Sequence, residues 1–326
     1  MVMNILRLVR YKNLIAIAAG QLLVYYALIV PMLQMYGVNV TLPTWAVWTI
    51  AGATVLIAAG GYAVNDYFDI KIDRINRPDE VIAGEVIEKR TVMRLYQTLT
   101  AAGALAGVAT AVALKSMTLG LIFVIVPGML WFCSASYKRQ LLIGNVIAAV
   151  AYALVPMMPL VAESGLLQHE YGELIQRTPV LVTLYTWVCG YAVFTLLWAF
   201  IAEVLKDLRD VDGDREMECH TLPVVMGEMK ARTAVSVMTA VTLGLMCWVV
   251  FGVMNEAVAV RYFIVGIVLP AACSTYFVWK GACTGYKNAT GFIYFIMMAG
   301  YLYTVVNYYQ VAKACGLTFF GLFNIA

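Results

Sequence analysis

Nine long apolar segments joined by short connections make up most of this 326-residue chain, at about residues 14–36, 45–65, 92–114, 117–134, 142–161, 180–203, 233–254, 261–280 and 289–311. Each is close to the ~20 residues a helix needs to cross a bilayer. No polar stretch between them approaches the ~50 residues of an independent soluble domain. Composition agrees: charged residues are 13% of the chain and hydrophobic ones 63%, where a soluble domain carries about 25% charged residues. The chain therefore reads as all-α and polytopic, a single membrane domain over residues 1–326. A net charge of +3, with no basic run interleaved with aromatics, argues against a nucleic-acid partner. No obligatory protein partner is evident. His169 and His220 are too few for a multi-histidine metal cage, and the seven cysteines, with no C-x-x-C among them, read as buried inert thiols.

Basic residues set the expected orientation. Eighteen of the 22 Lys and Arg fall in the N-terminal segment and in every second connection, leaving only Lys115, Arg177, Arg261 and Lys313 on the other side. With nine spans, the positive-inside rule places the eighteen, and the N-terminus, in the cytoplasm. The expectation is a multi-pass protein of the inner (cell) membrane. Its basic start leads into a first span rather than a removable signal peptide, because no small-residue cleavage site follows. The outer segment 162–178 reads as a surface loop or short interfacial helix, and the apolar tail after Lys313 as interfacial.

The acidic residues are distributed unevenly. Seven of the nineteen lie between Asp66 and Glu88 and seven between Glu203 and Glu218, both windows on the cytoplasmic side. The second span runs into N-D-Y-F-D-I-K-I-D, with Asn65, Asp66, Asp69 and Asp73, and the sixth into E-V-L-K-D-L-R-D-V-D-G-D, with Asp207, Asp210 and Asp214. Both aspartate triads are spaced i, i+3, i+7, which at ~3.6 residues per turn is one helical face. Like charges on one stripe repel, and a carboxylate at membrane depth costs ~2.5–3.5 kcal/mol. Mg²⁺ offsets such a cost well, since it takes oxygen ligands and commonly binds through one or two carboxylates plus substrate phosphates. One cluster alone would pass as a solvated helix end with Lys71, Arg74, Arg77, Lys206, Arg209 and Arg215 as ion-pair partners. The same spacing at the ends of two spans favours a site: two stripes facing a central cavity capped by two acidic connections, holding Mg²⁺ around a diphosphate.

The stretch N-D-Y-F-D-I-K-I-D-R-I-N-R-P resembles the first motif of the UbiA-type intramembrane prenyltransferases, and D-L-R-D-V-D-G-D-R-E-M-E-C-H-T-L-P resembles their second. The resemblance covers the whole chain: nine spans, both motifs in place and a basic connection after the fourth span. The D-x-x-D-x-x-G-D pattern followed by T-L-P looks most like the branch that makes digeranylgeranylglyceryl phosphate. What the resemblance implies is Mg²⁺-dependent transfer of a prenyl group, geranylgeranyl in that branch, from an allylic diphosphate to a lipophilic acceptor such as geranylgeranylglyceryl phosphate. It also implies Asp66, Asp69, Asp73, Asp207, Asp210 and Asp214 as metal ligands, with Asn65, Asp66, Asp69, Asp207 and Asp210 as catalytic. Diphosphate contacts fall to Lys138 and Arg139 of S-Y-K-R-Q, with Arg77 and Lys206 behind them. Asn145 of I-G-N-V faces the cavity, and Arg10 and Asn13 of R-Y-K-N lie near the acceptor or the diphosphate.

The chain departs from the family pattern at Glu80, where a second Arg is common, and at Glu218 and His220, where Gly and Lys are frequent. Gly52, Gly60 and Gly61 read as points of close helix packing. Three other readings stay open: an aromatic acceptor of the quinone, haem or chlorophyll type, a membrane terpene cyclase, and an ion or metabolite transporter with a carboxylate-lined path. A transport path needs ionisable groups through the membrane thickness, whereas the outer halves of these spans hold almost none.

Overall fold

The computed structural model describes residues 2–137, 140–320 and 323–324. Among them are nine helices long and apolar enough to cross a membrane: Tyr11–Met35, Thr44–Phe68, Lys89–Ala113, Met117–Ala135, Ile143–Tyr171, Val180–Arg209, Glu228–Met254, Ala257–Lys280 and Ala282–Cys315. Each contains one of the nine apolar segments to within a residue or so at either end. They are helical because lipid offers backbone N–H and C=O groups no partner, so each segment must pair its own. We number these the first to ninth spans.

Neighbours in sequence are neighbours in space. Each span packs on the next, the ninth returns to the first, and the sixth and ninth also pack together, so the spans form a closed ring. Lipid gives helix association little hydrophobic drive, and close approach at small residues takes its place. A Cβ on Gly60 would stand 2.1 Å from the Thr100 hydroxyl of the third span, and one on Gly300 would stand 2.3 Å from the Phe194 ring of the sixth. Gly52, expected at such a contact, has nothing near it and is exposed on the lipid side. Gly61 faces Leu130 of the fourth span.

Other expectations are corrected at the outer surface. Of the seven cysteines only Cys219 is buried, and Cys273, Cys283 and Cys315 are exposed. An apolar span has a lipid-facing side, so an apolar setting in the sequence does not imply burial within the protein. The segment 162–178 does not begin as a surface loop, because the fifth span continues as helix to Tyr171 and its Ala162, Glu163, Ser164 and Leu167 are buried. Glu163 is fully buried. Its Oε1 accepts from the Thr41 N–H and hydroxyl (2.7 Å each), and its Oε2 from the Leu42 N–H and the Tyr25 hydroxyl (3.1 Å each). It thereby ties the connection between the first two spans to the fifth. The tail forms a small hairpin, Thr318–Phe319 with Phe323–Asn324, docked on Tyr308, whose hydroxyl donates to the Thr318 carbonyl and accepts from the Phe320 N–H (3.0 Å each).

At the opposite, acidic face the two aspartate segments are built alike. The second span ends at Phe68, and Asp69 (φ −88°, ψ 1°) joins it to a short helix, Ile70–Asn76. The sixth ends at Arg209, and Asp210 (φ −100°, ψ 13°) joins it to Val211–Glu216. The carboxylate stripes therefore lie on bent rather than continuous helices. Hydrogen bonds of the i to i−4 kind still cross each joint, from Asp69 N to Asn65 O (3.0 Å) and from Asp210 N to Lys206 O (2.9 Å), so the stripe survives the bend. The two short helices pack against each other, which brings the motifs together.

Candidate active site

Two chambers meet beneath these helices. The first has Arg10, Asn65, Asp69, Arg77, Asn145, Glu203, Lys206, Asp207, Arg209, Asp210 and Asp214 around its polar end. Its walls deeper in the membrane are apolar except for Thr54, whose hydroxyl is turned back to the Ile50 carbonyl: Ile57, Ala58, Ile122, Phe123, Val126, Leu130, Val155 and Met158. The second chamber shares Arg10, Arg77, Lys206 and Arg209 with the first and adds Arg7, Lys12, Asn13, Asp66, Asp73, Glu80 and Tyr294. Six cations line it.

All six aspartates singled out in the sequence border one or other chamber, each held by a neighbour. Arg10 donates to Asp66 (2.8 Å) and Arg77 to Asp73 (2.6 Å), while Arg209 grips Asp210 through Nε and Nη2 (2.9 Å each). Amides and a hydroxyl orient the other three: Asn65 donates to Asp69 (2.8 Å), Asn145 to Asp207 (2.8 Å) and Thr221 to Asp214 (3.0 Å). Asp69, Asp207, Asp210 and Asp214 are buried, so their charges act in a poorly solvated space. The Asn13 amide lies 3.5 Å from the Tyr62 hydroxyl. Lys138 and Arg139 lie outside the described residues.

Where the polar end gives way to apolar walls, the Tyr62 and Tyr152 hydroxyls share a hydrogen bond of 2.8 Å between the second and fifth spans. The Arg10 guanidinium sits 5.0 Å over the Tyr62 ring. Burial alone would lower the Arg10 pKa, but Asp66 and the neighbouring tyrosines outweigh it and hold the group charged. Lys206 pairs with Glu203 at 2.6 Å.

The donors present suit Mg²⁺. They are hard carboxylate oxygens, and among the described residues no three acidic, His or Cys side chains close into a cage. Mg²⁺ takes such oxygen donors and commonly completes its coordination with water and substrate phosphate.

Several residues that shape this end were not foreseen. Asn76 donates to the Asp210 carbonyl (2.9 Å) and accepts from the Gly213 N–H (3.0 Å), locking one acidic helix to the other. A Cβ on Gly213 would stand 2.5 Å from Asn76 Nδ2 and 2.9 Å from the Ile72 carbonyl, so the close approach requires glycine. The signals lay within the motifs: an Asn just before R-P and a Gly just before the last Asp. Asn76→Ala should raise the Mg²⁺ concentration for half-maximal turnover by about 10- to 100-fold, the usual cost of losing a group that orients metal ligands. A Mg²⁺ titration of diphosphate release checks this, and an unchanged midpoint would mean the lock does not serve the aspartates.

Of the departures from the family pattern, Glu80 has a partner: Lys287 at the start of the ninth span donates to it at 2.8 Å. That ammonium holds the Glu80 carboxyl below its ordinary pKa, so the tie across the acidic face is charged at neutral pH. Glu218 and His220 are exposed and line neither chamber.

A ring of membrane helices around an apolar cavity, with carboxylates and cations gathered at one end, is the layout of a membrane-embedded enzyme site. The profile of the UbiA prenyltransferase family matches residues 22–298, and the chain belongs to that family. It is a membrane-embedded prenyltransferase. It is 30% identical over 224 residues to the digeranylgeranylglyceryl phosphate synthase of Metallosphaera sedula, an alignment spanning 68% of each chain. The fold is similar to that of a UbiA homologue from Aeropyrum pernix, with a TM-score of 0.63 and 18% identity over 88% of this chain and 96% of that one. It is also similar to that of a UbiA homologue from Archaeoglobus fulgidus solved with DMAPP and Mg²⁺, with a TM-score of 0.55 and 16% identity over 91% and 98% of the two chains.

Proposed function

We propose that the protein transfers a geranylgeranyl group from its diphosphate to the hydroxyl of geranylgeranylglyceryl phosphate, with Mg²⁺, at the cytoplasmic face of the membrane. The whole chain acts as one prenyltransferase domain with its N-terminus on that side. The observation that carries this reading is the pairing of chambers: an apolar tunnel ending in aspartates, beside a recess lined by six cations. The first suits a long allylic diphosphate and the second a phosphate-bearing acceptor. The name of the Metallosphaera relative supports the same choice.

Asp66, Asp69, Asp73, Asp207, Asp210 and Asp214 would hold the Mg²⁺, with Asn65 and Asn145 keeping Asp69 and Asp207 in position. Bound there, Mg²⁺ supplies charge neutralisation for a departing diphosphate. Arg77, Lys206 and Arg209, reinforced by Lys138 and Arg139 of the basic connection, meet the diphosphate oxygens and stabilise the charge that develops on them. Tyr62 and Tyr152, joined through their hydroxyls, stand where the polar end meets the apolar walls and help keep water from the allylic cation that forms there. Arg10, Asn13 and the neighbouring Arg7 and Lys12 take the acceptor's phosphate, for which a guanidinium fork is well shaped.

Purified protein with Mg²⁺ and geranylgeranyl diphosphate should release diphosphate and form an ether when offered geranylgeranylglyceryl phosphate. It should alkylate neither 4-hydroxybenzoate nor 1,4-dihydroxy-2-naphthoate. Alkylation of either aromatic acid in place of the glyceryl lipid would overturn the acceptor, and no Mg²⁺-dependent release at any prenyl length would overturn the donor.

A further inference from the structure

Among the described acidic residues that line the first chamber, Glu203 alone belongs to neither aspartate triad. It stands four residues before Asp207 on the sixth span, one helical turn or ~6 Å deeper toward the apolar walls. Tyr62 holds the matching place before Asp66 on the second span. Glu203 Oε1 accepts from the Lys206 ammonium at 2.6 Å, and no other donor reaches this carboxylate among the described residues. The glutamate side chain keeps 17% of its surface accessible, and because Glu203 lines the chamber, a ligand there can touch it. Lys206 borders both chambers, and its ammonium lies 5.9 Å from the centre of the Tyr294 ring in the wall of the second. The Glu203–Lys206 pair therefore stands at the junction, between the aspartates that face a diphosphate and the recess that suits the acceptor.

Transfer to an alcohol must dispose of a proton. The acceptor oxygen bonds the allylic carbon, the bond from that carbon to the diphosphate breaks with its electron pair leaving on the diphosphate, and the new ether oxygen carries the hydroxyl proton until a base removes it. A protonated ether is a far stronger acid than a carboxylic acid, so an ionised carboxylate within hydrogen-bond reach suffices as that base. The aspartates are otherwise engaged. Each accepts from an arginine, an amide or a hydroxyl, and in the reading above they also face Mg²⁺. Glu203 is kept ionised by Lys206 and lies on the apolar side of the aspartates, toward the prenyl carbon rather than the diphosphate. A water molecule in the same place would attack the cation itself, so a fixed carboxylate serves the transfer better.

Resting on the prenyl-transfer reading above, we propose that Glu203 is the catalytic residue that receives the proton of the acceptor hydroxyl, with Lys206 holding its carboxylate charged and in place. The proton passes to the second carboxylate oxygen as the ether forms, and leaves to solvent once the product has gone.

Glu203→Gln tests this, because the amide carbonyl can still accept from Lys206 while the basic oxygen is lost. Two quantities are read on the full chain in detergent with Mg²⁺. Thermal stabilisation by geranylgeranyl thiolodiphosphate, a donor analogue slow to ionise, reports on the donor site. Product analysis with geranylgeranyl diphosphate and geranylgeranylglyceryl phosphate separates the ether from the prenyl alcohol formed by water. In Glu203→Gln the analogue should bind within about twofold of the wild type while ether formation falls ~10²- to 10⁴-fold, the usual contribution of a positioned base. The share of prenyl alcohol should rise. Glu203→Asp, which keeps a shorter carboxylate, should lose less ether than the glutamine variant.

Ether formation in Glu203→Gln within about tenfold of the wild type would give the proton to the departing diphosphate and overturn the proposal. Equal losses of analogue binding and of ether would overturn it too, since Glu203 would then only position Lys206. A wild type that forms no ether with the glyceryl lipid would instead remove the acceptor reading, and the base with it. Should Glu203→Gln fail to fold, Glu203→Asp decides through the same two readings: ether lost with analogue binding kept supports the base, and any other result overturns it.

Discussion

Asp66→Ala and Asp207→Ala should each lower Mg²⁺-dependent diphosphate release by on the order of 10³-fold, the scale on which loss of a group stabilising developing charge is felt. The two aspartates come from different spans and different motifs, so equal losses would show that both motifs serve one reaction. Asp207 is buried and held by Asn145, and Asp66 sits under Arg10 where the chambers meet. Removing either leaves a cation or an amide without its partner but no large void, so the bundle should persist, as circular dichroism and gel filtration would show. Asp207→Asn keeps the shape and loses the charge. It should therefore behave like the alanine variant if the carboxylate serves a metal, and nearly like the wild type if it serves only to hold Asn145. Release within tenfold of the wild type in either alanine variant would count against a shared metal centre.

Glu163→Ala should cost roughly 3–5 kcal/mol of stability, with little change in turnover per folded molecule. The carboxylate accepts two backbone N–H groups and two hydroxyls in a fully buried position. Each donor left without an acceptor there costs about 1–3 kcal/mol. Glu163 is eighteen residues along the fifth span from Asn145, roughly 27 Å at the helical rise, so the aspartates should not feel the change. Denaturation in mixed detergent measures the first quantity, and diphosphate release normalised to folded protein the second. A fall in turnover as large as the fall in stability would mean that the outer tie governs the geometry of the site.

Much of the architecture was legible because the bilayer leaves a chain few choices. Apolar segments of sufficient length become helices when no external partner exists for their backbone, and all nine appear where composition placed them. The aspartates were legible for a related reason: charge is so scarce in this chain that two windows of it with matched spacing stand apart. Glu163 lies in the segment 162–178, which the sequence places at the surface, yet it is fully buried. Its burial comes from the first connection folding over it, and no local pattern carries that information.

Helical spacing did not reveal the joints at Asp69 and Asp210, because a bend that preserves the i to i−4 hydrogen bonds leaves the side-chain period intact. Asn76 and Gly213 acquire their roles only when two helices more than a hundred residues apart in the chain come together. The sequence by itself determined a nine-span membrane protein with two carboxylate motifs at one face, because both follow from the cost of placing polar groups in lipid. The joining of the motifs and the second, cation-lined recess were decided by tertiary structure, because each depends on a distance between helices and on the space that one side chain leaves for another.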